Sequence, residues 1–460
     1  MTSEKMMAAD DTARNGFGWR WLIILALAVL GLVALERSFS ILSRPAPMLP
    51  FAGTSNGVAQ TYEEALAQLD RRIADAEATS RDRPRDWLTQ ETLARRYMLR
   101  ARLTGSFDDY AAADAALARA FKFAPRNDGP HLAKAELDLA LNRIGEAEKA
   151  LNSVRHYAVT PAAAEQADIA AMRGDIAFAR GQYGAAVQAY DEADRHVAGT
   201  TNLRRAIYNG RIGRLDLAAR AFDQAAAGPS RRTPQEVAEL ELQRGLAALD
   251  AGRRDEALAR FQRANAVFPG DWRTERRIAE VNALNGDLGS AERLYARIAS
   301  RTGHPAAFDA LSELARRRGD PAAMLDWTAK ASEAWEKRLN RFPEASYSDA
   351  LGHCFAVENW ACALTLAERD HANRPFGESK VRLAKALLAA NRAPEARTLI
   401  EQVLASPWRT ADLHAVAADI YAALGNAAAA EAQRRQALRL NPNIFPAQPP
   451  AAEEASPAAT

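Results

Sequence analysis

Gly174-Asp175-Ile176-Ala177-Phe178-Ala179-Arg180-Gly181-Gln182-Tyr183, continued by Ala186, Tyr190 and Ala193, is a unit that the chain writes more than once. Gly245, Gly252, Ala257, Phe261, Ala264 and Pro269 repeat its spacing, and Ala418, Tyr421, Gly425, Ala430, Ala437 and Pro442 repeat it again. With Ala186 as a ruler, the series is Ala113, Ala147, Ala186, Ala218, Ala257, Ala291, Ala323, Ala363, Ala396 and Ala430. Its steps are 34, 39, 32, 39, 34, 32, 40, 33 and 34 residues, which gives ten units. The three long steps predict loop insertions between units. Self-similarity at this period marks stacked supersecondary units, none of which can bury its apolar face alone.

The pattern resembles the tetratricopeptide repeat. A small residue stands at the eighth place of the unit, Gly near the fifteenth, Ala at the twentieth, a large apolar residue at the twenty-fourth, Ala at the twenty-seventh and Pro at the thirty-second. The resemblance covers residues 88–442. It implies an all-α fold: a right-handed superhelical solenoid of about ten helix-turn-helix units. The small residues let two antiparallel helices approach, and the large one fills the space between them. Gly181, Gly213, Gly252, Gly286, Gly319 and Gly425 fall where the first helix must end in a left-handed turn, which glycine enters without a Cβ clash. Pro125, Pro269 and Pro442 end second helices.

Outside the array, Trp21 to Leu35 carries no charge and no proline, and residues 19–37 are expected to form a transmembrane signal anchor. Trp19 and Trp21 suit an interface, while Arg20 and Arg37 can reach headgroups from either side. A cleaved signal peptide is the rival reading, although Glu36-Arg37-Ser38-Phe39-Ser40 offers no small-x-small cleavage site. Lys5, Arg14 and Arg20 precede the span and Arg37 and Arg44 follow it, a bias that keeps residues 1–18 as a short cytoplasmic tail. The expected location is therefore the inner (plasma) membrane, single-pass, with the repeats in the periplasm. Residues 38–60, with Pro45, Pro47, Pro50, Gly53 and Gly57, read as a spacer. Within residues 61–87, Tyr62, Ala65, Leu66, Leu69 and Ile73 fall at helical spacing and predict a leading amphipathic helix from Thr61 to Ala78. Residues 443–460 are Pro, Ala and Glu without an apolar period and are expected to be disordered.

Sixty Lys and Arg against 58 Asp and Glu leave a net charge of +2, so no global field draws the chain to nucleic acid. No phosphate loop, GxGxxG, HExxH, GxSxG or paired CxxC is present, and the seven histidines show no metal-ligand spacing. The expectation is no catalytic site, no metal and no cofactor. His353-Cys354 is the one nucleophile and base pair to consider, but adjacent residues on a helix point about 100° apart. Cys354 and Cys362 flank one predicted turn centred on Glu358 and Asn359, where they either form a disulfide or remain two small buried thiols.

In tetratricopeptide proteins the first helices line a concave groove that holds an extended peptide or a partner helix. The resemblance carries that role to the second, fifth, ninth and twelfth places of each unit: Asp168, Asp175, Phe178, Glu239, Leu242, Leu246, Arg273, Arg276, Glu280 and Lys385. Asp175, Ile207, Leu246 and Glu280 hold the ninth place, where subfamilies that grip a chaperone's C-terminal carboxylate use Lys and Asn. The expected function is a membrane-anchored, non-enzymatic scaffold for other proteins in the bacterial cell envelope, organising an assembly, synthesis or export complex, possible products being polysaccharide or lipid. The alternatives are a periplasmic chaperone or adaptor holding clients in the groove and, more remotely, an enzyme on a repeat platform.

Overall fold

The computed structural model describes residues 58–228 and 232–445. The predicted anchor over 19–37 and the tail beyond 445 lie outside the described residues. No described helix is long and apolar enough to cross a membrane. Among the described residues there are 21 α-helices, a 3-10 turn at Val154–His156 and no strand.

Helix α1 (Tyr62–Asp82) leads, and ten antiparallel hairpins follow. The first five are α2 (Trp87–Thr104) with α3 (Phe107–Phe123), α4 (His131–Ala140) with α5 (Ile144–Ser153), α6 (Ala163–Ala179) with α7 (Tyr183–His196), α8 (Asn202–Arg211) with α9 (Leu215–Ala226), and α10 (Pro234–Asp250) with α11 (Arg254–Val267). The second five are α12 (Trp272–Leu284) with α13 (Leu288–Thr302), α14 (Pro305–Arg317) with α15 (Pro321–Arg341), α16 (Pro343–Ala356) with α17 (Trp360–Asn373), α18 (Gly377–Ala389) with α19 (Ala393–Ala405), and α20 (Ala411–Ala423) with α21 (Ala427–Leu440). Every ruler alanine lies on a second helix, and seven of them (Ala113, Ala147, Ala186, Ala257, Ala291, Ala363 and Ala396) have no exposed surface. The expected steric fit is present. A Cβ on Gly174 would lie 2.4 Å from the Tyr190 ring, and one on Gly245 would lie 2.3 Å from the Phe261 ring. Each ring fills the space its glycine leaves.

All six turn glycines have positive φ, and where a unit lacks glycine the same place is taken by Asn142, Glu358 or Asn391, with φ of 57°, 55° and 60°. Asparagine tolerates this region through local hydrogen bonding, whereas Glu358 sits there against its intrinsic preference.

Four expectations need correction. In the seventh unit the residue equivalent to the ruler is Met324, five after Gly319, and Ala323 stands one place before it. The long step from Ala323 to Ala363 is not a loop: α15 runs 21 residues and absorbs the extra length as helix, with Pro343 opening the next helix at once. The other two long steps carry non-helical residues between units, over 157–162 and, among the described residues, at 227–228 and 232–233. Helix α1 continues to Asp82, capped at its start by the Thr61 hydroxyl accepting from the Glu64 N–H at 3.2 Å. Asn443 to Phe445, placed with the disordered tail, are ordered: Ile444 is buried against Ala411, Ala415 and Ala437.

The array coils back on itself. The Tyr62 N–H donates to Pro269 O at 3.0 Å, joining the start of α1 to the junction after the fifth unit. Each turn of the first five units then meets the junction five units further on. Gly105 packs on His304 and Trp272, with the Trp272 indole N–H donating to Leu103 O at 3.0 Å. Asn142 donates to Glu344 O at 3.4 Å, Gly181 packs on Pro375 O, Arg409 N–H donates to Arg211 O at 2.8 Å, and the Asn443 amide donates to Gly252 O at 2.8 Å. The path returns to itself about every five and a half units. The seam has an apolar core: Phe178 of the third unit packs on Phe376 and Trp408, and Tyr183 on Trp408, with ring centroids 6.0 to 6.1 Å apart.

Candidate functional site in the lumen of the superhelix

Because the second superhelical turn closes on the first, the first-helix faces look into a lumen rather than an open groove. Of the ten groove positions, Asp175, Phe178, Glu239, Leu242, Leu246, Arg276 and Glu280 are buried, and Asp168, Arg273 and Lys385 are half-buried. The chain itself provides the covering. Phe178 belongs to the seam core, and Asp175 accepts from Tyr190 Oη at 2.9 Å and pairs with Arg204 at 3.1 Å. Arg273 bridges Glu239 at 3.1 Å and Asp271 at 2.7 Å, and Arg277 holds Glu280 at 2.6 Å. Lys385 lies over the Phe355 ring at 5.1 Å, and burial lowers its pKa. Asp168 is pushed up to about 6, first by burial, with Arg204 opposing.

Glu239, Leu242, Leu246, Arg273 and Arg276 come together around a central cavity of about 180 Å³. Asp168, Asp175, Phe178, Glu280 and Lys385 do not line it. Its walls carry seven arginines, namely Arg102, Arg204, Arg273, Arg276, Arg277, Arg338 and Arg374, against three carboxylates, Glu136, Glu239 and Asp349. Glu136 is already held by Arg95 at 3.0 Å. Arg204, Arg273, Arg277 and Arg374 each have a carboxylate partner, the last being Asp370 at 2.5 Å. Arg102 and Arg338 have no ion-pair partner among the described residues. Arg338 donates to Gly105 O at 3.0 Å and stacks over Phe107 at 4.3 Å. Burial brings its pKa down to about 10, so it stays charged at neutral pH. Burial also raises the Asp349 carboxyl to about 7, against the pull of Arg382, Arg374 and Arg276, and His304 on the same wall is held neutral by burial and by Arg338 and Arg276. The cavity is therefore an electropositive space in a low-dielectric setting.

One cavity arginine lay beyond the sequence rule for groove positions: Arg338 is on a second helix, which the rule does not examine. Arg102 stands at the ninth place of the first unit, within the rule, but was not among the ten positions selected. The His353-Cys354 pair does not assemble. The His353 ring spans Asp309 Oδ1, 2.7 Å from Nδ1, and Ser332 Oγ, 2.8 Å from Nε2, while the Trp335 indole donates to Asp309 Oδ2 at 2.7 Å. Ser332 lies within α15, with its hydroxyl also 2.9 Å from Thr328 O, so this buried chain ties α14, α15 and α16 together. Cys354 faces Cys362 across the Glu358 turn, with Cα atoms 5.7 Å apart and sulfurs at bonding distance.

The fold and lumen define an all-α solenoid of ten helix-turn-helix units whose superhelix closes on itself. No protein-family model matches the sequence, and no curated protein matches it. Similar solved structures include the APC/C hetero-tetramer Cut9-Hcn1 (14% identity, 83% of this chain and 80% of that one, TM-score 0.36) and a monomeric IFIT1 mutant with m7Gppp-AAAA (13%, 82% and 99%, TM-score 0.39). A tetratricopeptide repeat protein from Parabacteroides merdae is 16% identical over 53% of this chain and 93% of its own, with a TM-score of 0.32. At these scores the path of the superhelix and the lining of the lumen are read from this chain alone.

Proposed function

We propose that the protein is a non-enzymatic scaffold, held at a membrane by residues 19–37, whose closed superhelix offers a rigid outer surface to protein partners. The observation that carries this reading is the burial of the first-helix face: ion pairs and the Phe178 to Trp408 core occupy the surface where an extended client would lie. A chaperone that threads long clients through the groove would have to part the seam. The outer face needs no such opening, and its exposed residues include Leu215 and Leu217 on α9 and Leu325 on α15. The partners are membrane or envelope proteins of an assembly, synthesis or export complex, reached across the spacer over 38–60.

Crosslinking in living cells, followed by detergent purification and mass spectrometry, tests this with full-length protein and an anchorless form, residues 45–460. A fixed set of membrane proteins recovered with the full chain and lost with the anchorless form supports the scaffold. A broad set of soluble clients retained without the anchor replaces it with the chaperone reading.

A further inference from the structure

We infer that the central cavity is a binding site for a small phosphate-bearing dianion, with Arg102 and Arg338 as its principal ligands. The inference is independent of the scaffold reading, since it concerns the lumen and not the outer surface. Four wall arginines are matched to carboxylates of this chain, whereas Arg102 and Arg338 face the same space and have none among the described residues. Arg276 lies buried on the same wall.

Arg102 and Arg338 are half-buried in the wall of one cavity, a charge partly withdrawn from water is stabilised by an opposite charge, and two such guanidiniums on one wall suit a ligand with at least two negative charges. Planar guanidinium forks match phosphate oxygens with paired, charge-assisted hydrogen bonds, which a single carboxylate could offer to one of the two arginines but not to both. A volume of about 180 Å³ is somewhat larger than an engineered cavity that takes benzene, so it admits one phosphoryl group with a short carbon skeleton. Ala101, Leu139, Ala140, Leu242 and Leu246 supply apolar wall for that skeleton. The wall carboxyls set an orientation: the phosphoryl end lies toward Arg102 and Arg338, away from Glu136 and Glu239. Phosphate chemistry is common to inorganic phosphate and to small phosphomonoesters, and the experiment separates them.

The test is calorimetric titration of the detergent-solubilised full-length protein with inorganic phosphate and, separately, with glycerol 3-phosphate, at matched ionic strength. Saturable one-to-one binding of either, weakened about 10- to 100-fold in R338Q, supports the site, and the tighter of the two names the source. R102Q guards against a folding artefact, because Arg102 makes no ion pair that the fold would lose; its melting temperature should be unchanged and its binding weakened to a similar extent. Absence of saturable binding for both probes overturns the inference. So does binding that R338Q and R102Q leave unaltered, which would place the anion on the surface.

Discussion

Gly181 and Gly252 do two things at once that Gly319 and Gly425 do not. All four need positive φ, but a Cβ at Gly181 would stand 2.9 Å from Pro375 O and one at Gly252 2.2 Å from Asn441 Oδ1, whereas Gly319 and Gly425 have nothing within 4 Å. Alanine at Gly319 or Gly425 should therefore cost about 1–2 kcal/mol for the left-handed turn alone. At Gly181 or Gly252 the clash with the seam adds about 1–3 kcal/mol more, a difference that chemical denaturation of the four variants will measure. The charged interior gives a second residue-scale prediction. Asp349 has a folded pKa of about 7, above the unfolded value of roughly 3.9, so the folded state keeps a proton that the unfolded state has lost. Its contribution leaves stability unaffected below about pH 4, lowers it as pH rises to 7, and is constant above. Relative to D349N, the wild type should melt at progressively lower temperature between pH 4 and 7; parallel curves would show that Asp349 ionises normally. At this scale the sequence was readable. The glycine turns and the fit of Tyr190 into the space at Gly174 follow from local sterics. The second constraint on Gly181 was hidden, because Pro375 is almost two hundred residues away.

Helices and junctions are held by groups the repeat pattern does not single out. Asn142, standing where other units have glycine, uses its side chain across the seam: its carbonyl oxygen accepts from Arg374 Nη1 at 3.2 Å, while its main-chain oxygen accepts from the Asn373 amide at 2.7 Å. Arg374 in turn shares the buried Asp370 with Arg382, at 2.5 and 3.3 Å. Removing one member of such a buried network leaves an uncompensated charge, so D370A should destabilise the protein by about 3–5 kcal/mol. A loss below about 1 kcal/mol in denaturant titration would mean that the network is solvated. The Cys354 and Cys362 pair gives a milder prediction: as a disulfide closing a short loop it adds roughly 2–3 kcal/mol, and thiol counting in denatured, oxidised protein should find no free thiol. Two free thiols would leave two cysteines in van der Waals contact. The length of α15 was illegible for a plain reason. A repeat period records how far the next unit has moved along the chain, not whether the extra residues join a loop or extend a helix.

At the scale of the whole molecule, ten hairpins and a leading helix make just under two turns of a superhelix, and the turns touch. Alternation of small and large residues within each unit specifies the hairpins, so the solenoid was legible. Whether its groove is open depends on the coil per unit, the sum of small angles that no single unit reports. The residues that close the seam, among them Trp272, Phe376 and Trp408, sit at junctions where the repeat leaves residue type unconstrained. This also explains the groove positions: the burial of Phe178, Leu242 and Glu280 depends on a second turn of chain. The seam fixes what the protein can offer to partners, a continuous outer surface and a small arginine-lined lumen.

The most direct measurement is intramolecular crosslinking of Arg211→Cys with Arg409→Cys in a background with Cys354 and Cys362 replaced by serine, using a short bis-maleimide at high dilution. Their main chains are joined by a 2.8 Å hydrogen bond, although 198 residues separate them in sequence. Rapid, near-complete crosslinking of the folded monomer, abolished by denaturant and absent from either single-cysteine variant, is the result expected of a closed superhelix. Two freely reactive, uncrosslinked thiols in folded protein would mean an open solenoid, with its groove available along its length.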